Sequence, residues 1–134
     1  MNGVFEIGRL RDVPEPGRSA SVLTARADLD IATEKAALEQ VCEVVSGTGD
    51  AMVVDLGGVF VGACGVGLVV TAVERAARAR KPCAVIDAPQ WMICVAARLD
   101  VPPISFHDSL CSAVASLCML GTAGHRDGEE FRAT

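Results

Sequence analysis

Hydrophobic and polar positions along the chain switch repeatedly between two periods. Residues 3–10 interleave apolar and charged positions as an edge strand does, and Pro14-Glu15-Pro16-Gly17 follows as a turn. Ser21-Val22-Leu23-Thr24-Ala25-Arg26-Ala27 predicts a second strand, although its alternation is imperfect. After Leu29-Asp30-Ile31-Ala32-Thr33 the period becomes helical, with Leu38, Val41, Cys42 and Val45 on one stripe. Thr33 stands at the cap, Glu34 suits the first turn, and Gly47 supplies a stop. Residues 51–56 then form a short continuous apolar run, as expected of a central strand covered on both faces.

A glycine-rich turn leads into a second helix whose inner stripe is predicted to be Val66, Val69, Val70, Val73 and Ala77. Leu68 and Ala72 make other faces of its early turns apolar, which predicts contact with a partner or another element. Arg75, Arg78, Arg80 and Lys81 gather at its end, where cations complement the helix dipole, and Pro82 stops it. Cys83-Ala84-Val85-Ile86-Asp87 reads as the next buried strand. Pro89 opens a shorter helix over residues 90–99 carrying Trp91, Cys94, Val95 and Leu99. Pro102-Pro103 breaks the chain before the short strand Ile104-Ser105-Phe106. Asp108 or Ser109 then caps a last helix with Leu110, Cys111, Val114, Leu117 and Cys118 on one stripe and Gly121 at its end. Residues 122–134 read as a polar, mobile tail.

This alternation of strand and helix predicts one α/β domain over residues 1–121, without repeats or linkers. At 134 residues the chain is long enough for a core that needs neither metal nor disulfide. Aromatics are 4% and tyrosine is absent, so that core must come from Val, Ala, Leu and Ile. A net charge of −5 argues against a nonspecific nucleic-acid partner. No run approaches the roughly 18 apolar residues of a membrane span, so no membrane insertion is expected. The opening Met1-Asn2-Gly3-Val4-Phe5-Glu6 lacks a signal peptide's basic and apolar regions, which predicts a cytoplasmic protein.

Candidate chemistry is sparse. The six cysteines form no Cys-x-x-Cys and no zinc-type set with histidine, so no metal is expected. Cys42, Cys83, Cys94, Cys111 and Cys118 fall on predicted inward positions and read as core thiols. Cys64 differs because it sits where the glycine turn opens a helix, a place that favours anions and thiolates. It is either a redox-sensitive group or a small filler. By its own neighbours Asp30 reads as a local turn or capping carboxylate. Asp55, inside an apolar run, reads as structural. In His107-Asp108 the reading favoured is helix capping by Asp108, while His125 lies in the tail and Trp91 reads as core. Gly65-x-Gly67 meets neither nucleotide-binding fingerprint, and no cofactor is expected.

Three segments carry a resemblance. Ala27-Asp28-Leu29-Asp30-Ile31-Ala32-Thr33 is similar to a Gly-Glu-Leu-Asp-x-x-Thr helix entry. Val53-Val54-Asp55-Leu56 with Gly62-Ala63-Cys64-Gly65-Val66-Gly67 is similar to a strand followed by an Asp-Ser-Ser-Gly-Leu-Gly loop. Ile86-Asp87-Ala88-Pro89 and the helix to Leu99-Asp100 match a Pro-led third helix. In this order they resemble the STAS domain of anti-anti-sigma factors (anti-sigma factor antagonists) over about residues 20–118. The resemblance implies a four- to five-stranded mixed sheet with helices mainly on one side. It also implies a bacterial, non-enzymatic regulator of transcription, of the kind used in stress responses, that captures a kinase-like anti-sigma factor.

Carried over residue by residue, the family's phosphorylated serine falls on Cys64, its preceding serine on Ala63 and its aspartate on Gly62. No hydroxyl occurs anywhere in residues 57–67, so a family-type kinase finds no acceptor there. The implied partner surface comprises Asp30, Gly62, Ala63, Cys64, Gly65 and Val66. Three readings stay open: a regulator without the serine switch, its binding constitutive, redox-gated or lost; a thiol-based redox protein using Cys64; and a scaffold subunit of a signalling or transporter-associated assembly. A homodimer is open in each.

Overall fold

The computed structural model describes residues 3–99 and 103–127, so the expectations for Met1, Asn2, Asp100, Pro102 and residues 128–134 lie outside the described residues. The elements follow in order as β1 (Phe5–Arg11), β2 (Ser19–Ala25), α1 (Glu34–Ser46), β3 (Ala51–Asp55), α2 (Cys64–Arg78), β4 (Cys83–Ile86), α3 (Gln90–Ala96), β5 (Ser105–His107) and α4 (Leu110–Asp127). The five strands lie in one sheet in sequence order. β1 runs antiparallel to β2, while β2 through β5 run parallel. This is the mixed α/β architecture that the strand–helix alternation predicts.

Two-residue alternation in the strands divides the core. Leu23, Met52, Val54 and Val85 belong to the larger cluster, with Ala37 and Val41 of α1, Leu68 and Val69 of α2, and Met92 of α3. Ala20, Ala51, Val53, Ala84 and Ile86 meet Ala113 and Leu117 of α4 in the second cluster. Helices α1–α3 thus cover one face and α4 the other. Each fully buried leucine on these faces contributes about 1.5–3 kcal/mol relative to exposure.

The helices turn different stripes inward from those expected. α2 packs against α1, α3 and β4, so its buried positions are Gly65, Leu68, Val69, Ala72, Val73 and Ala76. Leu68 and Ala72 are therefore core, whereas Val66 and Val70 are half-buried and Ala77 is exposed. α1 buries Ala37 and Val41, leaving Leu38, Cys42 and Val45 half-buried. α3 buries only Met92 and Ala96, so Trp91 is 42% exposed instead of core, and Cys94, Val95 and Leu99 face out with it. In α4, Ala113 and Leu117 are buried while Leu110 and Cys111 are exposed and Cys118 is half-buried. A small residue lets a helix approach the sheet more closely than a leucine, and burial follows that approach. Cys83 is half-buried on its strand and packed against the larger cluster, where desolvation pushes its thiol up to about 12.

Ends and edges also differ in detail. The α4 cap is Ser109, not Asp108: its Oγ accepts the Ser112 N–H at 3.1 Å. Gly121 does not stop α4, which continues to Asp127; a lone glycine costs a helix only about 1 kcal/mol unless the chain reverses there. Lys81 Nζ donates to the Gly47 carbonyl at 2.9 Å, so the end of α2 caps the end of α1. At the outer strand, the Gln40 side chain accepts the Phe5 N–H at 2.7 Å and donates to the Phe5 carbonyl at 2.9 Å. That amide occupies the edge as a neighbouring strand would.

His107 tethers α4 to β5. Its Nε2 lies 2.7 Å from Ser105 Oγ and its Nδ1 2.7 Å from Ser112 Oγ, while Ser105 Oγ lies 3.3 Å from Ser116 Oγ. Hydroxyls both donate and accept, so the chain is satisfied with either ring nitrogen carrying the proton.

Candidate functional site

The segment between β3 and α2 folds back over the turn that precedes α1. Asp55 ends β3 by accepting the Gly57 N–H on Oδ1 at 2.9 Å, which is the structural role its sequence position suggests. Leu29 and Val61 form a parallel bridge, in which Leu29 N–H donates to the Phe60 carbonyl and Gly62 N–H to the Leu29 carbonyl, both at 2.8 Å. Asp28 Oδ1 accepts the Phe60 N–H at 2.9 Å and closes the same latch from the side. Residues far apart in sequence are thereby held as one surface.

Within it, Asp30 is half-buried and committed to its own turn. Its Oδ1 accepts the N–H groups of Ala32 at 3.0 Å and Thr33 at 3.2 Å. Thr33 takes the N-cap position of α1, yet its hydroxyl donates to the Asp28 carbonyl at 2.6 Å and makes no capping bond to the helix. The side-chain cap expected there is thus absent, and Asp30 instead closes the turn before the helix, in an Asx-type arrangement.

Cys64 is the first residue of α2, half-buried, with Sγ 3.9 Å from the Leu29 carbonyl oxygen. The opening amides of α2 are less available to an anion than the sequence suggests. Gly65 N–H donates to the Gly62 carbonyl at 2.9 Å, and Val66 N–H donates to the Ala63 carbonyl at 3.2 Å. Ala63 is exposed, Gly62 and Val66 are half-buried, and Gly65 is buried. A Cβ on Gly65 would collide with the Val61 side chain, so only glycine lets α2 start this close to the latch. All six residues expected at the surface are therefore brought together, with Gly65 contributing backbone and packing.

Two large apolar side chains that sequence reasoning did not assign to the site are exposed on it. Phe60 is 63% exposed and Ile31 is 84% exposed, large apolar groups on the two sides of the latch. A signal existed: Phe60 stands between glycines and Ile31 inside an Asp-x-x-Thr turn, where neither has a core to enter. Among the described residues no group of three or more His, Cys, Asp and Glu is placed to hold a metal ion. No helix among them is long and apolar enough to cross a membrane.

The sequence matches no protein-family model and no curated protein, but the fold has solved counterparts. One is an anti-sigma factor antagonist from Mycobacterium paratuberculosis, at 17% identity and TM-score 0.65 over 84% of this chain and 93% of that one. The anti-sigma factor antagonist SpoIIAA in its unphosphorylated form matches at 12% identity and TM-score 0.63, over 84% and 94% of the two chains. The phosphorylated form of SpoIIAA, a Bacillus cell fate determinant, matches at 12% identity and TM-score 0.64, over 84% and 97%.

Proposed function

We propose that this protein is an anti-sigma factor antagonist that acts by binding rather than catalysis, and whose binding is not switched by serine phosphorylation. The observation that carries the reading is the latch. The Asp30 turn and residues 60–66 form one surface with Phe60 and Ile31 exposed on it, and no hydroxyl lies in residues 57–67. The fold shared with anti-sigma factor antagonists supports the same role. Its partner is then a kinase-like anti-sigma factor, whose capture releases a sigma factor. A phosphate at the start of α2 would add charge and bulk to the surface. Here no serine or threonine stands there to receive one, and the complex persists in ATP.

Mixing the protein with a kinase-like anti-sigma factor, then following the complex by calorimetry and size exclusion with and without ATP, tests this reading. A complex of equal affinity in both conditions is expected, and no complex in either would sink it. A parallel titration with peroxide-treated protein and with the Cys64→Ala variant separates a constitutive surface from a redox-gated one. If gated, peroxide abolishes binding by the parent protein and leaves the variant unaffected.

A further inference from the structure

From the exposed Ile31, in the turn before α1, an apolar strip continues along the side of α1 through Leu38, which also packs against the larger core cluster, and Cys42. Ile31, Leu38 and Cys42 line a shallow open cavity of about 910 Å³, with Glu34 on one flank and Glu39 and Glu43 on the other. Lys35 and Ser46 complete its wall, so three glutamates stand against one lysine. The strip owes its position to the rotation of α1, which turns Ala37 and Val41 to the sheet and leaves Leu38 and Cys42 half-buried beside them. A helix of thirteen residues is about 20 Å long, enough to lie against three or four turns of another helix. Leu38 and Cys42, four apart on α1, with Ile31 just before its start, form a row against which a second helix can set its own apolar residues.

We infer that this side of α1 is a docking strip for an amphipathic helix of a partner protein, one whose apolar ridge is flanked by lysine or arginine. Charge selects that occupant. Glu34, Glu39 and Glu43 border both sides of the strip, so a helix with basic flanks gains on each side, whereas a second copy of α1 would set glutamate against glutamate. The strip adjoins the surface assigned above to an anti-sigma factor, and the inference rests on that reading only in so far as both place a protein partner on this side of the molecule.

The test uses a designed probe instead of the anti-sigma factor, so the two proposals fail separately. A labelled 18-residue amphipathic peptide of leucine and lysine is titrated by fluorescence anisotropy against the full chain at low and at physiological salt, and its footprint is mapped by amide chemical shifts. Binding is expected to perturb α1 amides, to weaken with salt, and to fall at least tenfold in the double variant Glu39→Lys/Glu43→Lys, whose exposed positions leave the fold intact. Leu38→Glu should lose binding too, with circular dichroism reporting whether the helix survives. Equal affinity for a leucine–glutamate peptide, unchanged affinity in the double variant, or shifts confined to other elements would each overturn the inference.

Discussion

Two corners of this molecule use polar groups in opposite ways. Where the Asp30 turn meets the start of α2, hydrogen bonds among backbone groups and the Asp28 and Asp30 carboxylates fix the shape, and large apolar side chains are left in solvent. Between β5 and α4 the reverse holds. Ser105, His107, Ser112 and Ser116 form a connected chain of hydroxyl and imidazole, flanked by the buried Ala113 and Leu117. The residues with the more familiar catalytic chemistry therefore hold a helix to a strand, while the corner with almost none presents the surface proposed for recognition. Side-chain type alone is a poor guide to function; what a group is bonded to, and whether it faces solvent, decides it.

The contrast can be broken or sharpened in graded steps. Leu117→Ala removes the largest buried side chain of α4 and should destabilise the fold by about 2–5 kcal/mol in urea titrations, without lowering the affinity of the folded fraction for its partner. A large loss of affinity would mean that the two corners are coupled. Phe60→Ala does the opposite: affinity should fall by about 2 kcal/mol, as for an interface anchor, while the urea midpoint hardly moves. Retained affinity would remove Phe60 from the surface.

Cys83 supplies a pH handle on the core between these corners. Its folded thiol titrates at about 12 against the usual 9.0. Above pH 9 the unfolded chain loses a proton that the folded chain keeps, so stability is full below pH 9 and drains away as pH rises toward 12. Cys83→Ala should flatten that decline in urea midpoints measured at successive pH values, and an unaltered slope would contradict the burial of the thiol. The smallest effect belongs to Ser105→Ala. Losing hydrogen bonds to His107 and Ser116 should cost about 1 kcal/mol and leave partner binding unchanged. Lost binding there would show that the polar chain serves recognition after all.

Much of the fold is legible in the sequence because strand runs such as residues 51–56 and 83–87 leave little alternative to a sheet covered on both faces. The helical faces were harder. Apolar spacing along α2 marks Val66 and Ala77 as well as Leu68 and Ala72, and only packing against α1 and α3 chooses among them. Alanine carries too weak a hydrophobic signal to announce the close contacts made by Ala37 and Ala113. The same uncertainty misplaced Trp91, Cys94 and Cys111, which face outward. At the site, the positions of Asp30 and Cys64 were readable from local motifs. Their union came only through the family resemblance, because the Leu29–Val61 bridge joins segments about thirty residues apart and leaves no local pattern.

The central claim is that the surface binds without a phosphorylation switch. Incubating the protein with a kinase-like anti-sigma factor and labelled ATP, and following complex and label together, tests it most directly. A stoichiometric complex should survive ATP with no label in residues 57–67, and a Cys64→Ser variant should take up label there and dissociate. Label incorporated in residues 57–67 of the parent protein, or a complex that ATP disperses, would contradict it.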